Sequence, residues 1–469
     1  MNIPEHIFKA YDIRGVYPKD ISEDSAVAIT KAIYKLYQDN LQTEDLVIVV
    51  GQDMRLSSPQ IFKAVSETLV NLGAQVLDIG LVSTPTLYFA TDKLKADGGI
   101  MISASHNPGH FNGLKMVQRS DNGLMKIGAN TGMDKIKKWS IEGIDLPEKP
   151  GGTITKKEGV VKDEVENALR IAGNPKIKQF KVAADTANAM GSVYIQELFN
   201  QIPGELVKLN FDLDGTFPSH PADPLIKENM ADLQRLVKSE KADLGIATDG
   251  DGDRIFFTDE KGEIIPASLI IALIAKEMLA KNPGETVVID IRYILNSKKV
   301  IEQYGGKFEI VRVGHAYITE KLNEVKGVFA GESSGHTFFR DTGGCESGVT
   351  VIAIVLAAMS QLNQPISQIV GELKHSHESG EINFELTNAP EVLEIIKEKY
   401  SDSEISHLDG VTITYPDVRF NLRVSNTGIP LIRLNVEGVD QAKMEKTTKE
   451  VVNLINQHIK TDTTVSSGH

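Results

Sequence analysis

One cysteine, no long apolar run and no surplus of positive charge set the first limits on what this chain can be. The lone Cys345 cannot form an internal disulfide, which removes the secreted disulfide-scaffold class and fits a reducing compartment, the cytoplasm. The longest apolar runs, such as Val351 to Met359, fall well short of the roughly 18 residues that suggest a membrane span. The opening MNIPEHIFKAYDIRG carries acids where a signal peptide needs an apolar stretch. With 50 Lys plus Arg against 64 Asp plus Glu, the formal charge is −14. A field of that sign repels phosphate polyanions and anionic bilayers, so neither nucleic acid nor membrane is an expected partner, and any anion site must be local.

What is present is an ordinary globular composition, 41% hydrophobic and 24% charged over 469 residues, enough for about two to four domains. Short apolar runs alternate with segments of helical spacing. Leu46 to Gly51 precedes SSPQIFKAVSETLVNLG, and Gly98 to Ser103 follows TPTLYFATDKL; the rhythm restarts at Phe180 to Thr186 and again at Glu285 to Asp290. Continuous apolar strands separated by helices imply α/β units with mixed, mostly parallel sheets covered on both faces. From about Glu372 the pattern becomes INFELTN, VLEIIKEKY, VTITYP, VRFNLRVS and PLIRLNVEG, which reads as an antiparallel sheet with helices on one side. The expected division is three similar α/β domains at 1–150, 151–258 and 259–371, an α+β domain at 372–460, and a frayed polar tail at 461–469. Pro147 to Gly152 reads as a linker, and Lys261-Gly262-Glu263 as a hairpin turn.

Small polar residues gather where the expected strands end, which is where open α/β sheets bind ligands. The sharpest motif is Asp249-Gly-Asp251-Gly-Asp253-Arg254. Three carboxylates on alternate residues suit a hard, oxygen-seeking cation, and their mutual repulsion without one costs several kcal/mol. A solvated acidic loop rarely follows an apolar strand directly. A calcium EF-hand matches at Asp249, Asp251, Asp253 and Glu260, but it needs glycine where Arg254 stands, and helices where strands are expected. Three carboxylates plus a phosphate oxygen suit Mg²⁺ at a phosphoryl-transfer centre instead. Ser103-Ala-Ser105-His106-Asn107-Pro108 contains a serine without a nucleophile elbow. Alone it reads equally well as an ordinary polar loop or as a serine that carries phosphate.

It is not alone. Ser105 to Pro108, Asp249 to Arg254, Gly331-Glu332-Ser-Ser334-Gly-His336 and Arg423-Val-Ser425-Asn426-Thr427, in that order and spacing, resemble the α-D-phosphohexomutases over nearly the whole chain. Tyr11-Asp-Ile-Arg14-Gly15, Gly51 to Arg55, Gly113-Leu-Lys115, Asp185 to Asn188 and Val313-Gly314-His315 agree. The resemblance implies four domains around one cleft, interconverting 1-phospho and 6-phospho hexoses, mannose and/or glucose, through a bisphosphosugar. Ser105 would carry the phosphate and, with Asp249, Asp251 and Asp253, complete a Mg²⁺ site. Arg254 would lie by the phosphate, and Lys115 and His315 would be the general acid and base candidates. The resemblance gives Glu332, Ser334 and His336 to the hexose, and Arg423, Ser425, Asn426 and Thr427 to the non-reacting phosphate. It adds Tyr11, Arg14, His106, Asn107 and Gly314 as substrate contacts, and a hexose 1,6-bisphosphate as activator. On spacing alone, Glu332 and Ser334 are expected on one extended face.

Two stretches depart from the family pattern: Gly428-Ile429-Pro430 after Asn-Thr, and Arg340 to Gly348, where a longer loop is common. The enzyme alternative is phosphoglucosamine mutase; the alternative of another class is a non-catalytic sugar-phosphate or divalent-ion binder of the same fold. Small-molecule sugar phosphates are the expected partners, with a monomer or small homo-oligomer as the assembly.

Overall fold

The computed structural model describes residues 3–424 and 431–459. Four sheets follow one another along the chain. The first has the order Ile13–Val16, Phe111–Ser120, Gly98–Ile102, Val47–Gln52, Gln75–Leu81, Thr153–Lys156, with Gly123–Lys126 added beside Phe111–Ser120. The second runs Ile264–Ile265, Ile255–Thr258, Leu244–Thr248, Phe180–Asp185, Gly204–Leu209, and the third Lys307–Val311, Thr286–Asp290, Phe329–Gly331, Thr337–Phe339, Cys345–Glu346. Each begins as the expected parallel sheet and then turns back through antiparallel strands. That reversal creates a tight connection from the last parallel strand to its antiparallel neighbour. In all three sheets this connection is the loop with the sharpest motif: 103–110, 249–254 and 332–336.

The central parallel strands, such as Leu244–Thr248 and Thr286–Asp290, are buried on both faces, which explains their unbroken apolar runs, whereas the edge strand Thr153–Lys156 is exposed. Gly98–Ile102 is buried throughout, and its two glycines admit Tyr37 and Thr91, whose atoms lie 2.3 Å from where each Cβ would stand. The helix Thr84–Lys93 starts where the Ser83 hydroxyl accepts from Thr86 N–H and Pro85 fills the first turn, as helix entry favours. Both supports matter later, because Thr84 reaches the acidic loop.

The C-terminal sheet is wholly antiparallel. Val418–Val424 and Leu431–Gly438 form its centre, and the helices Ala389–Lys399 and Gln441–His458 pack together on it over a separate apolar core. The first sheet also has its own core. The second and third share their largest one, an apolar cluster that runs from Val165 through Phe257, Ile271, Phe329 and Ile354 to Leu373, while smaller clusters around Leu233 and around Ile318 belong to one sheet each. At its centre lies the helix Gly348–Leu362, packed against Val160–Ile171 and Ala267–Lys281. This helix is buried from Gly348 to Ser360, which accounts for its apolar composition all round. Among the described residues no single helix is long and apolar enough to cross a membrane. The hairpin read at Lys261 to Glu263 forms between Ile255–Thr258 and Ile264–Ile265. The Pro147 to Gly152 stretch leads into Thr153–Lys156, which joins the edge of the first sheet. The 461–469 tail lies outside the described residues.

Candidate active site

Ser105 sits in the reversal of the first sheet, 2% exposed, with φ of 51°. A left-handed serine is uncommon and is held only where its surroundings over-determine it. Here Arg55 does so. Its Nε donates to Asp53 at 3.0 Å, Nη1 to the carbonyls of Pro108 and Phe111 at 2.7 and 3.0 Å, and Nη2 to those of Ser105 and Asn107 at 2.8 and 2.6 Å. Every donor of the guanidinium is used. Arg14 adds a bond from Nη1 to Asn107 Oδ1 at 2.9 Å while its other nitrogens hold Asp12. His106 Nδ1 lies 3.3 Å from the Ser105 hydroxyl, and burial with Arg254 and Arg14 nearby holds this imidazole well below its usual range, hence neutral.

The acidic loop lies directly opposite. Ser105 Oγ donates to Asp249 Oδ2 at 3.1 Å. The two loops touch through Gly250, where a Cβ would stand 2.4 Å from the Ser105 carbonyl oxygen, so no larger residue fits. Asp249, Asp251 and Asp253 are buried, and each offers an oxygen within 4.8 Å of the others. Burial, then Asp253 and Asp251, push the Asp249 carboxyl well above its usual range. Burial also opposes ionisation of Asp253, but Lys115, His336 and Arg254 outweigh it and hold that group well below. Lys115 Nζ lies 2.5 Å from Asp251 Oδ2 and 2.6 Å from Asp253 Oδ2; burial disfavours its charge, and these two carboxylates more than restore it. Thr84 fixes Asp251 from the side, through its hydroxyl at 2.6 Å and its N–H to the backbone carbonyl at 2.9 Å. Two buried oxygens, Asp251 Oδ1 and Asp253 Oδ1, have no partner among the described residues. Oxygen donors only, crowded, buried and partly unpartnered, fit a hard divalent cation.

The third reversal joins the second edge to edge. Arg254 and His336 form an isolated antiparallel bridge, Ile255 N–H donates to Gly335 O at 3.1 Å, and Arg254 Nε donates to His336 Nε2 at 3.1 Å. Glu332 and Ser334 do face one way, but not on an extended segment. Glu332 N–H donates to His336 O, and Gly335 N–H to Glu332 O, so the loop is a tight turn. The two side chains converge because Arg292 Nη2 donates to both, at 3.0 and 3.3 Å. Arg292 is held by Asp290, which also accepts from Ser333 N–H at 2.5 Å. Burial raises the Glu332 carboxyl despite Arg292.

Arg292 and Asp290 were not singled out from sequence. Their signal was available, since Asp290-Ile-Arg292 repeats the spacing of Asp53-Met-Arg55 at the end of an equivalent strand. Lys126 and Glu346 were missed as well. Lys126 links Glu346 to His315, whose ring lies 5.0 Å from that of Tyr11 and 5.9 Å from that of His336. Gly314 precedes it with φ of 134°, and a Cβ there would stand 2.3 Å from the Tyr11 hydroxyl. The C-terminal sheet reaches this segment through Asp409, which accepts from Val313 N–H at 2.9 Å. It brings Arg423 in buried, with Nη2 on Glu381 at 3.2 Å and Nε unpartnered among the described residues. Ser425, Asn426, Thr427 and the Gly428-Ile429-Pro430 departure lie outside the described residues. Ser105, the acidic loop, Lys115, Arg254, His336 and Glu332 form one contact chain, and Arg423 stands apart from it on Glu381.

Four models of phosphoglucomutase/phosphomannomutase domains match this chain in order: the α/β/α domains I, II and III at residues 5–137, 163–262 and 267–376, and the C-terminal domain at 381–454. The chain belongs to this family, the α-D-phosphohexomutases. Among its relatives are the phosphohexose mutases of Xanthomonas campestris pv. campestris, 35% identical over 96% of this chain and 98% of theirs. The phosphomannomutase of Methanocaldococcus jannaschii is 34% identical over 96% and 97%. A crystal structure of a phosphoglucomutase/phosphomannomutase family protein from Burkholderia thailandensis superposes with a TM-score of 0.86 at 30% identity, covering 97% of this chain and 98% of that one. With these relatives, the protein is an enzyme of the phosphohexomutase class.

Proposed function

We propose that the enzyme moves phosphate between the 1- and 6-positions of mannose and/or glucose through phosphorylated Ser105 and a bisphosphosugar. The observation that carries this reading is the Ser105 hydroxyl, buried and 3.1 Å from the acidic cluster, where a solvent-shielded phosphate on Oγ meets a cation site. Mg²⁺ held by Asp249, Asp251, Asp253 and an oxygen on Ser105 would offset charge on the transferring group and lessen the carboxylates' hold on Lys115.

In the forward step the phosphorus–Oγ bond breaks and Ser105 Oγ takes a proton, while a bond from phosphorus to a sugar hydroxyl oxygen forms and that hydroxyl gives its proton up. Lys115, next to the reacting group, is the relay we assign: its ammonium gives a proton to Oγ and is restored by the hydroxyl's. Arg14, His106 and Asn107 keep the serine loop shaped for transfer, and Arg254 offers its guanidinium to the phosphate. Glu332, Ser334 and His336 take sugar hydroxyls, with Gly314 and Tyr11 beside them. Arg423, with Ser425, Asn426 and Thr427, takes the phosphate that is not reacting. The bisphosphosugar turns end for end and returns its other phosphate to Ser105, so a hexose 1,6-bisphosphate primes the unphosphorylated enzyme.

The sheets support the proposed division into four units, with the first limit past Lys156 and the second past Ile265, because those strands complete the sheets before them. A reducing cytoplasm, which the single, fully buried Cys345 supports, and a monomeric or small homo-oligomeric state complete the proposal. The test is a kinetic panel of mannose, glucose and glucosamine phosphates with and without glucose 1,6-bisphosphate, joined to intact-mass measurement. A gain of about 80 Da on Ser105 and turnover of mannose or glucose phosphates is the expected result. Preference for glucosamine phosphates would make the protein a phosphoglucosamine mutase, and a Ser105 that never takes phosphate would overturn the reading.

A further inference from the structure

Lys126 ends the strand Gly123–Lys126 in the first sheet, is 3% exposed, and crosses to the third unit. Its Nζ donates to both carboxylate oxygens of Glu346, at 2.5 Å for Oε2, and lies 3.2 Å from His315 Nδ1. The rings of Tyr88 and Phe338 flank it at 4.9 and 5.0 Å, a favourable setting for a cation. Glu346 is 1% exposed and would be left as an uncompensated buried acid if the lysine moved away.

An ammonium has three protons and no lone pair. Two point at Glu346, so the third must be donated to His315, and Nδ1 of that ring must be the acceptor. A neutral imidazole whose Nδ1 accepts carries its proton on Nε2. We propose that Lys126 is a positioning residue that fixes His315 in the Nε2–H form, so that His315 serves as a hydrogen-bond donor to a substrate oxygen and not as a proton acceptor. This rests on the placement of His315 in the sugar-phosphate cleft given above. It removes His315 from the candidates for general base and leaves the hydroxyl proton to Lys115.

The groups facing His315 come from four directions: Lys126 from its strand, Tyr11 from the N-terminal segment, His336 from the sugar loop, and Lys115 with Asp253 from further off. Burial and then Lys126 hold the imidazole well below its usual range, so a second proton is disfavoured. His336 is fixed the other way. Its Nε2 accepts from Arg254, which leaves the proton on Nδ1, between Asp253 at 3.6 Å and Glu346 at 3.5 Å. The site thus holds two neighbouring histidines in opposite tautomers, each set by a cation from another segment of the chain.

Nitrogen-15 NMR of the full-length protein with labelled histidine tests this, with His315→Asn identifying the resonances. The expected native spectrum has His315 protonated on Nε2 and bare on Nδ1. Lys126→Met should give a mixture of tautomers, move the His315 ionisation upwards from its lowered position, and lower kcat about tenfold while KM changes less than about threefold. Because that variant strands Glu346, the Lys126→Met/Glu346→Gln pair is measured beside it. Recovery of thermal stability without recovery of tautomer or kcat supports the proposal. Recovery of all three, a native Nδ1–H form, or an unchanged tautomer in Lys126→Met would overturn it. Native protein that turns over no sugar phosphate but keeps the Nε2–H tautomer would count against the cleft assignment alone.

Discussion

Two arginines stand at equivalent places in the molecule and are used differently. Arg55 and Arg292 each follow an aspartate by two residues at the end of a parallel strand, and each reaches over the neighbouring reversal loop. Arg55 binds four backbone carbonyls, at Pro108, Phe111, Ser105 and Asn107. Arg292 binds side chains, Glu332 and Ser334. A loop tied by its backbone has one shape whatever occupies the cleft. Side chains tied to an arginine can exchange that partner for sugar hydroxyls of similar hydrogen-bonding power. The serine loop is therefore built for a fixed reaction geometry. The sugar loop is built to accept a substrate that must bind in two orientations.

The largest effect belongs to the fixed side. Ser105→Ala should remove nearly all mutase activity, a loss of at least about a thousandfold, with an unchanged melting temperature, since a loop hydroxyl contributes little to the core. Turnover close to native would refute the phosphoserine.

Arg55→Lys separates loop shape from charge. A lysine cannot serve four carbonyls, so we expect a loss of roughly 3–5 kcal/mol of stability and a fall in kcat well beyond any change in KM. Retained kcat would show that the serine conformation does not depend on Arg55, and the contrast with Arg292 would fail.

On the adaptable side, Glu332→Ala should lower kcat/KM for mannose and glucose phosphates alike, by about one to two powers of ten, because the hydroxyl contact positions as well as binds. Identical kcat/KM on every sugar would place the sugar loop elsewhere. Arg423→Ala should raise KM by a similar or smaller factor, through loss of a charge-assisted contact of roughly 1.5–3 kcal/mol. It should also release bisphosphosugar, detectable by rapid quench with labelled substrate; unaltered KM with no leak would remove Arg423 from the phosphate anchor.

The smallest effect on activity concerns a support shared by neither arginine. Among the described residues Glu164, 1% exposed, takes only a 2.6 Å bond from the Thr86 hydroxyl, and burial pushes its carboxyl up to about 7. A carboxyl raised on folding contributes its stability fully below its unfolded value and loses it as pH rises through the folded one. Between about pH 4.5 and 7 the protein should therefore lose roughly 3 kcal/mol from this group. Glu164→Gln should flatten that slope and raise the melting temperature at pH 8 while barely changing it at pH 4; a parallel curve would show that Glu164 does not titrate there.

The loops of this site were legible because chemistry and topology coincide: an apolar run, then glycine with aspartate or serine, marks a strand ending at a working surface. What each loop leans on was harder to read. Arg292 and Glu332 are 40 positions apart, and Lys126 and Glu346 are 220; no local pattern encodes such pairs, which depend on how sheets dock. Gly51 to Arg55 was recognised as a motif, but its targets are main-chain oxygens, which every residue has and no sequence distinguishes. The parallel strands could be read from composition. Of the antiparallel returns, the hairpin at Lys261 to Glu263 could be read from its turn, but those of the third sheet could not, because Thr337–Phe339 and Cys345–Glu346 are too short to show alternation.

The apolar cluster common to the second and third sheets bears on modularity. Four family models cover the chain, yet the middle two units share their largest interior, because the helix Gly348–Leu362 supplies the inside of both. Cutting the chain after residue 265 would leave two fragments, each with a bare apolar face. Recombination between relatives is thus most constrained at the middle two units, which must be inherited together, and with them the spacing between cation site and sugar loop.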